Sequence, residues 1–137
     1  MKFILSCIVL CGILVVACGS KEKELSNKLK ESIERGSVIY KDFCIVCHQT
    51  NGEGLENTFP PLAKSDYLIA NRKESIKAVK FGQTGEITVN GKTYNNAMAP
   101  LGLYDEEIAD VMNYITNSWG NKNNEIFTAE EVAKLQE

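Results

Sequence analysis

The chain is poor in the residue types from which most catalytic and metal sites are built. It has one histidine, His48, one tryptophan and three prolines. Five cysteines are present, but Cys7, Cys11 and Cys18 fall in the first eighteen residues, so only Cys44 and Cys47 serve the rest of the chain. A structural zinc site needs four ligands, and Cys44, Cys47 and His48 supply three, two of them adjacent and unable to converge well on one ion. Acid–base chemistry that requires a second histidine is likewise excluded. Basic residues are not in excess: 15 Lys and Arg stand against 18 Asp and Glu, a net charge of −3 with no basic block. Nucleic acid is therefore not an expected partner. No apolar run reaches the roughly 20 residues of a membrane-spanning helix.

The longest apolar run, "FILSCIVLCGILVV" after Lys2, is too short to span and has the form of an export signal. Its end, "VVAC" at Val15 to Cys18, resembles the lipobox of bacterial lipoproteins. That resemblance implies cleavage before Cys18 and acylation of its thiol and new amine. The chain then divides into a signal peptide over 1–17, a lipidated cysteine and charged tether over 18–30, and one domain over 31–137. An exported protein is expected, held to a bacterial membrane and facing the periplasm or the cell exterior.

Within the domain, apolar residues recur at Leu29, Ile33, Gly36, Tyr40 and Phe43, a helical stripe leading into the cysteines. "TNGEG" at 50–54 breaks it, and "TFPPLAKSDYL" predicts a proline-stiffened loop and a short helix capped by Ser65. Residues 72–82 predict a helix stopped at Gly82. "EITVNGKTY" predicts a hairpin turning on Asn90-Gly91 in type I′ geometry. Residues 95–102 can only be loop. Asp105 is expected to cap the next helix, with Ile108, Val111, Met112, Ile115 and Trp119 as its apolar face. Thr128 and Glu131 predict a capping box for a terminal helix over 129–136. The result is an all-α fold of three to five helices with long loops. So much irregular chain in so small a body would be marginally stable alone, and something other than side chains is expected to fill its centre.

"CIVCH" at 44–48 identifies that filling. A thioredoxin-like redox pair would need a βαβ setting with a cysteine at a helix start. A plain disulfide suits an exported chain but leaves His48 without a purpose. The spacing matches covalent attachment of a c-type haem, in which both thiols become thioethers and the adjacent histidine is directed at the iron. The sixth iron position then falls to a methionine. Met112 lies on a helix's apolar stripe, where methionine is ordinary core filler. Met98 stands in a polar loop stiffened by Pro100 and has no packing partner evident in its neighbours. His48 and Met98 are the expected axial ligands.

With these residues in hand, the chain resembles the class I c-type cytochromes over about residues 31–137. "GSVIYKDFCIVCHQTNGEG" is similar to their first helix and haem-binding turn, and "FPPLA" to the loop before the haem. "YNNAMAPLGLYDEEIADVMNYITNSWGN" is similar to their methionine loop and last main helix. The resemblance implies that Gly36 permits close approach of the first and last main helices, with Tyr40 and Tyr114 packed at their crossing. It implies that the Pro60 carbonyl accepts the His48 Nδ1–H and that Leu62 and Leu101 pack on the porphyrin. It assigns no partner to the haem propionates.

An iron closed by histidine and methionine has no open site for substrate. The expected function is one-electron transfer between redox proteins, at least one of them membrane-bound, with no catalytic residue. Two other readings are an electron-entry subunit of a larger oxidoreductase and a haem gas sensor with a labile Met98.

Overall fold

The computed structural model describes residues 2–123 and 125–137, with side chains from residue 21 onward. The chain divides into two units, Met1–Glu31 and Ser32–Glu137. Helix α1 is assigned to Lys2–Phe43 and so contributes to both. In the first unit, the charged stretch expected as a tether is helical from residue 21 onward. Its Glu, Lys and Leu residues are strong helix formers. Glu24 and Lys28 also pair across one turn at 2.8 Å, the acid on the N-terminal side. Cys18 and the expected signal peptide lie outside the residues whose side chains are described.

The second unit carries the end of α1, then α2 (Ile45–His48), α3 (Asp66–Ala70) and α4 (Arg72–Phe81). A hairpin of β1 (Ile87–Val89) and β2 (Lys92–Tyr94) follows, then α5 (Asp105–Ile115) and α6 (Ala129–Ala133). The hairpin is antiparallel, pairing Ile87 with Tyr94 and Val89 with Lys92. Asn90 and Gly91 have φ of 51° and 75°, both left-handed as a type I′ turn requires.

The core is built around α5, whose Ile108, Val111, Met112 and Ile115 are all buried. The end of α1 lies directly on it. A Cβ added at Gly36 would overlap the Asp110 carbonyl and stand 2.9 Å from the Tyr114 Cβ, so only glycine allows this approach. Next to Gly36, Arg35 donates to both carboxylate oxygens of Asp110 at 2.6 and 2.8 Å, and one turn back Ser32 donates to one of them at 2.6 Å. Below the contact, Tyr40, Tyr114 and Trp119 form a triangle of rings with centroids 4.9 to 5.5 Å apart, within the range of favourable aromatic pairs.

Four expectations are corrected. Tyr104, not Asp105, is the N-cap of α5. Its backbone N–H is taken by the Glu107 carboxylate at 2.9 Å, which leaves Asp105 to pair with Lys80. Trp119 is not on the α5 face: the helix ends at Ile115, and Trp119 turns into the left-handed region with φ 53°. The terminal helix stops at Ala133 rather than 136. Thr128 caps it through the Glu131 N–H, but the Glu131 carboxylate does not reach back. Arg72 takes it in a two-pronged pair at 2.6 and 2.7 Å while its guanidinium lies 3.5 Å over the Phe127 ring. An ion pair of this geometry outcompetes a single bond to an exposed N–H.

Candidate functional site

The hydrogen bonds that join α1 to α2 place three reactive side chains on one turn. The Cys44 N–H donates to the Tyr40 carbonyl, and the His48 N–H donates to the Cys44 carbonyl, each at 2.9 Å. Cys44, Cys47 and His48 consequently line the same cavity. Tyr40 closes the turn from beneath, its hydroxyl donating to the Gln49 carbonyl at 2.6 Å. The hydroxyl's role was not visible in sequence, where Tyr40 registers as apolar periodicity and, by resemblance, as a ring at the helix crossing.

The proline loop is then tied to that turn. The Gly54 N–H donates to the His48 carbonyl at 3.0 Å, and Leu55 and Phe59 exchange two backbone bonds at 2.9 and 2.8 Å. The Gly52 carbonyl accepts from Leu62 and Ala63 at 2.7 and 2.8 Å. This brings the Pro60 carbonyl to 3.0 Å from His48 Nδ1. A carbonyl can only accept, so Nδ1 carries the proton and Nε2 is left as the free ligating atom. Leu62 is held from a third side by Asn121, whose amide donates to the Leu62 and Ile115 carbonyls, both at 2.7 Å. Sequence patterning gave no signal for Asn121, because its partners are backbone atoms far along the chain.

Met98 reaches the same cavity from the other direction. After α4, Gly82 turns with φ 87°, and Gln83 and Met98 exchange both backbone hydrogen bonds at 2.8 Å. A Cβ at Gly82 would stand 2.6 Å from the Met98 carbonyl oxygen. Met112, in contrast, is fully buried in the core and does not line the cavity. Leu62 and Leu101 both line it, as does Pro60. The structure thus brings together seven of the eight residues singled out in sequence, with Cys18 outside the described side chains.

The cavity measures about 300 Å³, and its walls are overwhelmingly apolar, with Leu68, Val79, Val89 and Ile115 among them. No lysine or arginine is among its lining residues. Burial, reinforced by the neighbouring Cys47, pushes the Cys44 thiol up to about 11. A redox-active pair needs a lowered thiol pKa, so the buried neutral Cys44 does not suit that role. His48 is held below the ordinary histidine range by burial, which outweighs the opposing bond to Pro60. Its imidazole is therefore neutral and able to ligate. Two unbridged thiols, a neutral imidazole with one nitrogen free and a thioether, in an apolar enclosure, form a donor set that fits an iron porphyrin.

The cytochrome c family model matches residues 33–119. Cytochrome c-552 of Thermus thermophilus is 42% identical over 110 residues, covering 74% of this chain and 83% of that protein. Two larger proteins are similar through a small part of their length. The cytochrome c subunit of the quinone alcohol dehydrogenase of Gluconacetobacter polyoxogenes is 33% identical over 106 residues, 74% of this chain and 22% of that subunit. The gluconate 2-dehydrogenase cytochrome c subunit of Pantoea cypripedii is 32% identical over 107 residues, 75% of this chain and 24% of its own.

Proposed function

Because the chain belongs to the cytochrome c family and so carries covalently bound haem c, we propose that it is a one-electron carrier whose iron is held between His48 and Met98. One observation carries this reading: both thiols, the His48 ring and the Met98 side chain line a single apolar cavity. Bound there, the haem supplies a one-electron couple between ferric and ferrous iron. Cys44 and Cys47 would fix it through thioethers. Pro60 orients His48 and raises its basicity through Nδ1. The Met98 thioether favours the ferrous form and so raises the potential. Leu62 and Leu101 would pack against the haem and exclude water. With His48 and Met98 both engaged, the iron would offer no position to a substrate, and the partner proteins would perform the chemistry.

The test is spectroscopic. The purified protein should stay red after acid–acetone extraction, and its ferric form should show the weak red-edge band of an iron–sulfur bond. The ferrous form should bind no carbon monoxide at neutral pH. Rapid carbon monoxide binding would favour a gas sensor and overturn the carrier reading.

The reading extends to location. Cys18, acylated after cleavage of residues 1–17, would hold the protein at a bacterial membrane on its periplasmic or outer side. Two or more acyl chains suffice for stable attachment. Among the described residues no helix is long and apolar enough to cross a membrane. Residues 19–30 reach at most roughly 40 Å even when fully extended. The haem would therefore stay close to the lipid surface, where a membrane-bound redox partner meets it at high effective concentration. A second reading, service as the electron-entry subunit of a dehydrogenase complex, is favoured by the similarity to the two dehydrogenase subunits.

A further inference from the structure

Ser75 has the only buried side-chain polar atom, among the described residues, that lacks a hydrogen-bond partner. The residue is 6% exposed and lies on the wall of the cavity that holds Cys44, Cys47, His48 and Met98. An unpaired buried hydroxyl is costly and rare in folded proteins. A helical serine normally escapes that cost by donating to the carbonyl four residues back. At and just past the end of α5, Thr116 and Ser118 make such bonds, donating to the Met112 and Tyr114 carbonyls at 2.7 Å each. Ser75 does not. The Asn71 carbonyl that it would use accepts the Ser75 backbone N–H at 2.9 Å, while the hydroxyl makes no bond.

The position of Ser75 in the fold narrows its partner. It lies on the first turn of α4, six residues or about 9 Å of helix before Phe81 and the Gly82 turn that leads to Met98. The same cavity is lined by the buried α3 cap Ser65, the α3 residue Leu68 and the hairpin residue Val89. A porphyrin joined to Cys44 and Cys47 through its vinyl groups has its two propionates on the opposite edge, and these carboxylates are its only peripheral polar groups. We infer, on the basis of the covalent-haem reading, that the Ser75 hydroxyl donates a hydrogen bond to a haem propionate. Among the described residues no lysine or arginine lines the cavity, so a carboxylate within it draws on neutral donors such as this hydroxyl. Each donor then bears strongly on its proton affinity.

The experiment compares wild type with Ser75→Ala and Ser75→Thr in the haem-loaded protein. A carboxylate that loses a donor takes up protons more readily. Because reduction changes the charge beside it, the midpoint potential depends on pH around the carboxylate's pKa. In Ser75→Ala the inflection in potential against pH should move upward by about one unit, a roughly tenfold gain in proton affinity. The propionate bands in redox-difference infrared spectra should shift with it. Ser75→Thr, which keeps the hydroxyl, should retain both wild-type signals. If Ser75→Ala does not accumulate, Ser75→Cys, a near isostere with a weaker donor, should show the same shift in smaller degree.

Superimposable potential curves and unchanged propionate bands in the alanine or cysteine variant would overturn the assignment. Ser75 would then be satisfied by an ordered water or by the Asn71 carbonyl. The outcome is separable from that of the carrier reading. Loss of the red-edge band from wild type itself would refute His48/Met98 ligation, whereas an intact band with unmoved propionate signals refutes Ser75 alone.

Discussion

Two methionines in one small domain differ in what surrounds them. Met98 owes its place to a backbone exchange with Gln83 and lines the cavity, while Met112 is enclosed by the core. Met98→Ala is expected to abolish the red-edge band and lower the midpoint potential, both read directly from the purified ferric and ferrous protein. Met112→Leu should keep band and potential and change stability by less than about 1.5 kcal/mol in urea titration, as a near volume-conserving swap. The reverse pattern would refute the ligand assignment. Gly36 gives a third residue-level expectation. Gly36→Ala places a methyl group on the Asp110 carbonyl, and overpacking of this kind costs about 1–3 kcal/mol. The loss should appear as a lower denaturation midpoint with the haem spectrum intact, since Gly36 does not line the cavity.

Helix α4 joins the Met98 loop to the C-terminal segment. Its last turn runs through Gly82 into the Gln83–Met98 exchange, and its first residue, Arg72, clamps α6 through Glu131 and the Phe127 ring. Gly82→Ala forces a side chain into a positive-φ conformation (φ 87°, ψ 173°) costing roughly 1–3 kcal/mol and presses on the Met98 carbonyl. The Met98 loop should loosen, and the red-edge band should fade at a lower temperature than in wild type. Arg72→Ala should instead release α6. Hydrogen bonds between charged groups contribute about 1.5–3 kcal/mol, so amide exchange of residues 129–133 should speed up while the haem spectrum stays unchanged. A second clamp acts beside Arg72: the Asn113 side chain donates to the Phe127 carbonyl at 2.9 Å and accepts from its N–H at 2.8 Å.

At the scale of the whole molecule, the haem is expected to be both cofactor and core. Cys44→Ala with Cys47→Ala should yield a chain without covalent haem and without cooperative unfolding, because the apolar cavity would be left unfilled. A folded, colourless double variant would refute this. Cys18→Ser should move a folded, reducible cytochrome from the membrane fraction to the soluble one. Oxidation of that form by its own membranes should be slow at cellular concentration and recover when it is added in excess. Turnover at the native rate without the anchor would mean that attachment has no kinetic role.

Much of this site was readable in local sequence, for definite reasons. CIVCH constrains two thiols and an imidazole within five residues, so covalent geometry alone brings them onto one turn. Ser65, Asn90-Gly91 and Gly82 act through their own or adjacent backbone, and the structure places a cap, a type I′ turn and a helix stop at those positions. Met98 was separable from Met112 because one broke a helical period and the other kept it. What sequence patterning missed depends on partners distant in the chain. Tyr104 displaces Asp105 as a cap, Glu131 leaves its own helix terminus for Arg72, and Asn121 joins Leu62 to Ile115. Ser75 belongs with these. Any helical hydroxyl could bond to the preceding turn, and only the folded cavity shows that this one does not. Short-range stereochemistry determines which groups can react. The competition among long-range hydrogen bonds, settled only on folding, decides which of them are left free to do so.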